Sequence, residues 1–150
     1  MGCDIHLYVE TREGDVWVCA DNLVNRYGED WLSADDPFYH TRNYGMFAIL
    51  ADVRNSWGIN PIADQRGVPD DLSDGLRPLF AQWELDAHSY TWLTFSDLLN
   101  FDWTQEITTG GYAGTPYHEI AGREWLATMM RLSRLNKSPD DIRIVFFFDN

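Results

Sequence analysis

The chain has 150 residues, of which 45% are hydrophobic and 15% aromatic, and this composition excludes general disorder and suits one folded domain. Its 24 acidic and 11 basic side chains give a formal net charge of −13, which argues against generic nucleic-acid binding. Because no apolar run approaches the roughly 18 residues of a membrane helix and no signal sequence precedes the two cysteines, we predict a cytoplasmic protein with reduced thiols and no membrane partner.

The beginning of the chain predicts an antiparallel hairpin. Residues Asp4 to Glu10 alternate strictly between apolar and polar side chains, which is typical of a half-buried strand. A turn over Thr11 to Asp15 leads to a second strand over Val16 to Ala20. Residues 21–43 show no period and mix aromatic side chains with Asp, Asn and Pro, so we predict a long loop there, of the kind that often serves function.

The middle of the chain predicts two helices separated by a loop. Asn43 is placed to cap a helix over Tyr44 to Val53, and residues 55–71 contain the glycines and prolines of a loop. Ser73 is placed to cap the second helix, with Pro78 tolerated only in its first turn.

The last part of the chain predicts two more strands and two more helices. Tyr90 to Leu93 is extended, and Thr94 begins a capping box for a helix over Phe95 to Asn100. The longest helix covers Glu119 to Asn136, and the apolar run Ile142 to Phe148 predicts a central strand buried on both faces. We therefore expect a single α+β domain, 1–150, in which a small mixed or antiparallel sheet packs with about three to four helices.

Two short motifs of the form Asp-x-His carry the most promising chemistry. They are Asp4-x-His6 and Asp86-x-His88, and on an extended backbone each would project both polar side chains to one face. If the fold brings them together, with Asp149 as a further candidate, they would hold a divalent metal, or one carboxylate would orient a histidine as general base. The alternative is that all of them make ordinary polar contacts at strand ends and turns.

A second group of residues suits a phosphorylated, base-bearing ligand. Arg54 and Arg66 are two of few cations in an acidic chain and would hold phosphate, while Tyr44 and Trp92 would stack on a base. Ser89 lacks the glycine-flanked elbow of a serine nucleophile, so we expect it to make hydrogen bonds, to a ligand or within the chain.

The chain also resembles a family of small, uncharacterised proteins of bacteriophages and prophages, nearly from end to end. The segments that carry the resemblance are Met1-Gly2-Cys3-Asp4-Ile5-His6, Arg42-Asn43-Tyr44 with Phe47 to Arg54, Arg66 to Ser73, Asp86-Ala87-His88-Ser89 with Trp92-Leu93-Thr94, and Phe146-Phe147-Phe148-Asp149-Asn150. Family members often carry Gly where this chain has Ala87, which leaves the Asp-x-His spacing intact. The resemblance implies a viral origin, and hence the cytoplasm of an infected bacterium, but no settled activity.

Three functions follow as hypotheses. The first is a phage counter-defence protein that binds and sequesters a small phosphorylated nucleotide used as a host immune signal. The second is a hydrolase, with or without a metal, that cleaves such a nucleotide through the Asp and His residues. The third is an acidic interaction protein that occupies a host DNA-binding protein. Homo-oligomerisation through an exposed face of the long helix is compatible with each of them.

Overall fold

The computed structural model describes residues 1–26 and 30–150 and shows an α+β fold. The strands are β1 (Asp4–Glu13), β2 (Val16–Cys19), β3 (Leu23–Arg26), β4 (Trp31–Ala34), β5 (His88–Thr94) and β6 (Ile142–Asp149). The α-helices of the described residues are α1 (Tyr44–Ala51), α2 (Arg77–Trp83), α3 (Phe95–Asn100) and α4 (Tyr117–Ser133). The fold class predicted from the sequence is therefore confirmed, including the N-terminal hairpin.

The main sheet is antiparallel throughout and has the strand order β2-β1-β6-β5. Strand β6 is central as predicted, and every residue from Ile142 to Phe148 is buried, because both faces of the sheet are covered. One face, with Ile5, Leu7 and Phe148, packs against α1, α3 and α4 and is called here the α1 face. The other, with Tyr8 and Phe147, packs against α2 and the β3–β4 hairpin and is called the α2 face.

A buried ion pair joins the two inner strands. Glu10 and Arg143 face each other in the β1–β6 register, their side chains are 0% and 3% exposed, and Arg143 Nε lies 2.6 Å from Glu10 Oε1. The second carboxylate oxygen accepts from the Ser73 amide at 2.7 Å, and Arg143 also binds Asp71 at 2.8 Å and stacks over the Trp17 ring. These contacts attach the loop before α2 to the sheet, and they hold the pKa of the Asp71 carboxyl below its usual value against the opposing effect of burial.

Several local predictions are confirmed. Asn43 caps α1 by accepting from the Met46 amide at 3.1 Å, and the predicted capping box of α3 forms between Thr94 and Asp97. Pro78 lies in the first turn of α2, where its missing N–H costs nothing. Among the described residues, no helix is long and apolar enough to cross a membrane.

Residues 21–43 differ from the predicted loop. Strands β3 and β4 form a second, two-stranded sheet, in which Leu23 pairs with Ala34. The Gln82 side chain of α2 fixes β4 because it both donates to and accepts from the Leu32 main chain, at 2.6 and 2.9 Å. This long-range amide contact has no local sequence signal. The turn predicted over Thr11 to Asp15 is shorter than expected, because β1 continues to Glu13 and only Gly14 and Asp15 separate it from β2.

Two helix predictions need correction. Helix α2 begins later than predicted and Ser73 does not cap it, because Leu76 occupies the N-cap position and the Ser73 hydroxyl has no hydrogen-bond partner among the described residues. Helix α4 covers Tyr117–Ser133 instead of residues 119–136, and it is interrupted at Gly122, whose φ of 76° and ψ of −176° are not helical. Only glycine adopts this backbone conformation without strain.

Arg143→Met should be one of the most damaging single substitutions in the sheet. It leaves the Glu10 carboxylate buried without a cation, a change that typically costs about 3–5 kcal/mol. Arg12→Met, which removes an exposed pair with Asp141, should cost at most about 1 kcal/mol. Denaturant unfolding of both variants tests this, and equal losses would contradict the importance given to the buried pair.

Asp21 should make stability fall as pH rises. Its Oδ2 accepts from the Val9 amide at 2.7 Å, its Oδ1 is buried without a partner among the described residues, and burial raises its pKa to about 6. Because the pKa of Asp21 is higher in the folded than in the unfolded chain, its protonated form favours folding. This contribution to the free energy of unfolding is fully present below about pH 4 and is lost as the pH rises through about 6. Asp21→Asn should therefore be more stable than the wild type by about 1–3 kcal/mol at pH 8.

Thermal unfolding of the Asp21→Asn variant and the wild type between pH 4 and pH 8 measures this difference. The gap should close towards pH 4, where the folded wild type carries a protonated carboxyl. A gap that is constant with pH would mean that Asp21 does not titrate as described.

Candidate functional site

The sequence motifs converge at one end of the main sheet. Asp4 at the start of β1 pairs with Asp149 at the end of β6, and His88 at the start of β5 pairs with Phe148. The three segments are distant in sequence, so only the antiparallel register brings them together. This end of the sheet is the candidate functional region.

The two histidines nevertheless lie on opposite faces of the sheet. His6 is opposite Phe147 and stacks on its ring at 5.3 Å, whereas His88 is opposite Phe148 and stacks on that ring at 6.2 Å. Because successive residues of a strand point to opposite faces, the imidazoles of His6 and His88 are separated by the sheet. The fold therefore does not bring the two Asp-x-His motifs together into one site.

No metal centre is apparent in the described part of the chain. Among residues 1–26 and 30–150, no group of three or more His, Cys, Asp or Glu side chains is arranged to hold a metal ion. Asp86 lies in an exposed 3₁₀ turn, Glu84–Asp86, and not on extended backbone, so its side chain does not share a face with His88 as the motif predicted.

On the α2 face, His6 is held between polar and aromatic neighbours. His6 Nε2 lies 2.9 Å from Asp149 Oδ1, and the imidazole packs against the Trp83 ring at 4.4 Å. Asp4 is engaged by Arg42 through two hydrogen bonds of 2.9 Å. Asp149 thus orients the His6 ring, while the charge of the Asp4 carboxylate is neutralised by Arg42.

A polar cavity of about 280 Å³ lies beside His6, between β1 and the β3–β4 hairpin. The side chains that line it and carry polar groups are His6, Tyr8, Arg26, Ser33, Tyr39 and His40. The Tyr39 hydroxyl is buried and has no partner among the described residues, and burial raises its pKa, so it remains a neutral donor. Arg26 donates to Ser33 Oγ at 2.6 Å and to the Ala34 carbonyl at 3.0 Å, which fixes the guanidinium at the cavity wall.

Main-chain groups of β1 also face this cavity. Val9 uses its N–H and C=O on the outer side of β1, towards Asp21 and Ala20. The N–H and C=O groups of successive residues in a strand point alternately to its two edges. Ile5 and Leu7 therefore present these groups on the outer edge of β1, as Val9 does, while His6 and Tyr8 bond to β6. Strand β2 pairs only with Glu10 to Glu13, and within residues 1–26 and 30–150 nothing else pairs with the outward groups of Ile5 and Leu7.

Such groups need a partner. Both Ile5 and Leu7 are buried and line the cavity, and an unpaired buried amide or carbonyl is as costly as a lost hydrogen bond. The cavity therefore combines side-chain and main-chain hydrogen-bonding groups in one place.

The remaining predicted ligand residues fall into two separate places. Arg54 lies over the Tyr44 ring at 5.1 Å and donates to the Met1 carbonyl at 2.9 Å, on the α1 face. Arg66 lies over the Trp92 ring at 4.7 Å and binds Asp97 at 2.7 Å, on the α2 face. The structure does not bring the two arginines together, and both aromatic rings are in contact with a guanidinium group of the chain itself.

Ser89 makes the hydrogen bond expected of it. Its Oγ lies 2.9 Å from His88 Nδ1, and His88 Nε2 lies 3.3 Å from Asn150 Oδ1. Cys3, close to this end of the sheet, is buried and free, and burial raises the pKa of its thiol. It is therefore a structural thiol and not an activated one.

Of the polar residues that line the cavity, sequence reasoning named only His6 as a site residue and missed five: Tyr8, Arg26, Ser33, Tyr39 and His40. Four of the five lie within residues 21–43, where the sequence predicted a loop of the kind that often serves function but assigned no site residue. The aromatic and basic composition of that stretch was the available signal. Comparison of the chain with protein-family models, with curated proteins and with solved structures finds no match.

Hydrogen exchange should reveal the alternation along β1. We expect the amides of Ile5 and Leu7 to exchange at least about tenfold faster than those of His6 and Tyr8, because only the latter donate to β6. Residue-resolved exchange followed by NMR measures this directly. Equal protection of all four amides would show that the outer edge of β1 is already paired.

Proposed function

We propose that the chain is a phage accessory protein that binds and sequesters a small phosphorylated nucleotide used by the bacterial host as an immune signal. The observation that carries the binding part of the proposal is the cavity beside β1, where Arg26, His6 and His40 line the same space as a buried hydroxyl without a partner. The phage context rests on the resemblance in sequence. In this proposal the ligand is held intact.

The groups that line the cavity suit a phosphate. Arg26 is permanently charged and donates hydrogen bonds, and neutral imidazole or imidazolium at His6 and His40 supplies further donors. Within residues 1–26 and 30–150, no carboxylate forms an ion pair with Arg26, whereas Arg42 and Arg66 are both paired. A phosphate site at Arg26 is compatible with the net negative charge of the chain. The attraction of phosphate to the nearby guanidinium is strong, whereas its repulsion from distant surface carboxylates is screened by salt.

The main-chain groups suit the remainder of a nucleotide. The Ile5 carbonyl and the Leu7 amide are neighbours along the outer edge of β1 and form an acceptor–donor pair. Nucleobases present donors and acceptors side by side in the ring plane, so one base edge can satisfy both groups. With about 280 Å³, the cavity is at the lower end of ligand pockets and fits a mononucleotide or one part of a larger nucleotide.

The proposal assigns new roles to the residues predicted from the sequence. His6 and Asp149 remain part of the ligand site, with Asp149 fixing the His6 ring through the 2.9 Å contact. The arginine that holds phosphate is Arg26. Arg54 instead donates to the Met1 carbonyl, and Arg66 to the Trp92 carbonyl of β5, so both bind the chain itself.

A binding experiment tests the proposal. The purified protein is incubated with a panel of cyclic nucleotides and ADP-ribose derivatives, and the free and heat-released fractions are analysed by mass spectrometry. We expect one class to be recovered intact from the protein. Arg26→Gln should weaken its binding about tenfold or more, because a hydrogen bond to a charged group is worth about 1.5–3 kcal/mol.

Arg134→Gln is the matched control. Arg134 is exposed at the end of α4 and does not line the cavity, and its replacement changes the net charge by the same amount. Equal weakening by both variants would indicate a general charge effect. If no member of the panel binds the wild type, the proposal fails, and a new product in the free fraction would replace sequestration by catalysis.

A further inference from the structure

The hydrogen-bond chain Ser89–His88–Asn150 lies on the face of the sheet opposite the cavity and is independent of it. His88 stacks on Phe148 of the α1 face, with its Nδ1 2.9 Å from Ser89 Oγ and its Nε2 3.3 Å from Asn150 Oδ1. The side chains of His88 and Ser89 are half-buried, so they are held in place and still accessible.

The contacts of Asn150 indicate which ring nitrogen of neutral His88 carries the hydrogen. Arg54 Nη2, which can only donate, lies 3.5 Å from Asn150 Oδ1, so this atom is the amide oxygen and acts as acceptor. His88 Nε2 faces the same oxygen and therefore carries the proton. In the neutral ring Nδ1 is then the acceptor, and the Ser89 hydroxyl donates to it.

The backbone at Ser89 is unusual. Its φ of 58° lies in the left-handed region, where a serine is strained, and the β5–β6 register shifts between His88 and Thr91. This bulge turns the Ser89 hydroxyl towards the imidazole of the preceding residue. Strained residues of this kind concentrate at functional sites.

We propose that Ser89 is a nucleophile, that His88 is its general base and that Asn150 is a positioning residue for the imidazole. A nucleophile within hydrogen-bond reach of a base, with the base oriented by a third group, is the arrangement that activates a serine hydroxyl. The substrate class is a carboxylic ester, since the neighbouring Arg54 is already engaged by Met1 and Asn150 and is not set aside for an anionic phosphoester.

The reaction proceeds in two steps. Ser89 Oγ bonds to the carbonyl carbon of the ester while its proton passes to His88 Nδ1. The bond to the alcohol oxygen then breaks, and the alcohol leaves with that proton. Water, deprotonated by His88, hydrolyses the acyl-serine, which releases the carboxylic acid and restores the Ser89 hydroxyl.

A fluorophosphonate reagent tests the nucleophile without knowledge of the substrate. Attack by Ser89 Oγ forms a bond to phosphorus and expels fluoride, while the proton passes to His88, and the adduct is read by intact mass and peptide mapping. We expect one adduct, on Ser89. It should be absent in Ser89→Ala and form at least about tenfold more slowly in His88→Gln.

Ser96→Ala is the matched control, because the Ser96 hydroxyl also donates to a neighbour, Asp140, but has no histidine beside it. This variant should label at the wild-type rate. The proposal is overturned if the wild type is not labelled, if the adduct maps to another residue, or if Ser89→Ala labels equally.

Rescue by a conservative variant tests Asn150. Asn150→Ala removes the oxygen that His88 Nε2 faces, so it should slow the labelling of Ser89 at least about tenfold. Asn150→Asp keeps an acceptor oxygen at that place and should restore labelling towards the wild-type rate. Labelling of Asn150→Ala at the wild-type rate, or an Asn150→Asp variant as slow as Asn150→Ala, would overturn the positioning role.

Discussion

The Glu10–Arg143 ion pair is the contact on which the arrangement of the sheet depends. Both side chains are buried near one end of the β1–β6 pair, next to the Thr11–Ile142 pairing, where neither charge tolerates the loss of its partner. A shift of β1 by one residue would move Glu10 to the opposite face and leave Arg143 with only the exposed Asp71 carboxylate as a partner. The pair therefore fixes the register that places Asp4 opposite Asp149 and His6 opposite Phe147.

That register divides the polar residues at the end of the sheet between two faces with different environments. On the α2 face, His6 borders a cavity that is closed by the β3–β4 hairpin. On the α1 face, the His88 imidazole contacts Ser89 on one side and the Asn150 amide on the other, and Arg54 also contacts Asn150. One end of the sheet therefore carries a polar cavity on one face and a serine–histidine contact on the other.

Much of the fold could be predicted because the signals were local. The strand β1, the caps at Asn43 and Thr94 and the apolar run of β6 depend on neighbouring residues, and each was confirmed. The alternation in β1 was wrong about burial, because Tyr8 and Glu10 on its polar face are covered and the strand is not half-buried. The β3–β4 hairpin depends on Gln82, far away in the sequence, and was missed for that reason. The sequence indicated that Asp4, His6 and His88 lie at strand ends. It did not indicate which face of the sheet each side chain occupies, because the bulge between His88 and Thr91 changes the register of β5.

The half of β1 that β2 leaves unpaired has a consequence for self-association. An edge strand with free main-chain groups is a template for pairing with another copy, and soluble folds usually cover such edges. Here Arg26, Pro37, Tyr39 and His40 line the same cavity as Ile5 and Leu7, so the chain itself covers part of this edge. The side chains that bound the cavity thus also hinder edge-to-edge pairing, and loosening them would expose the edge to another strand.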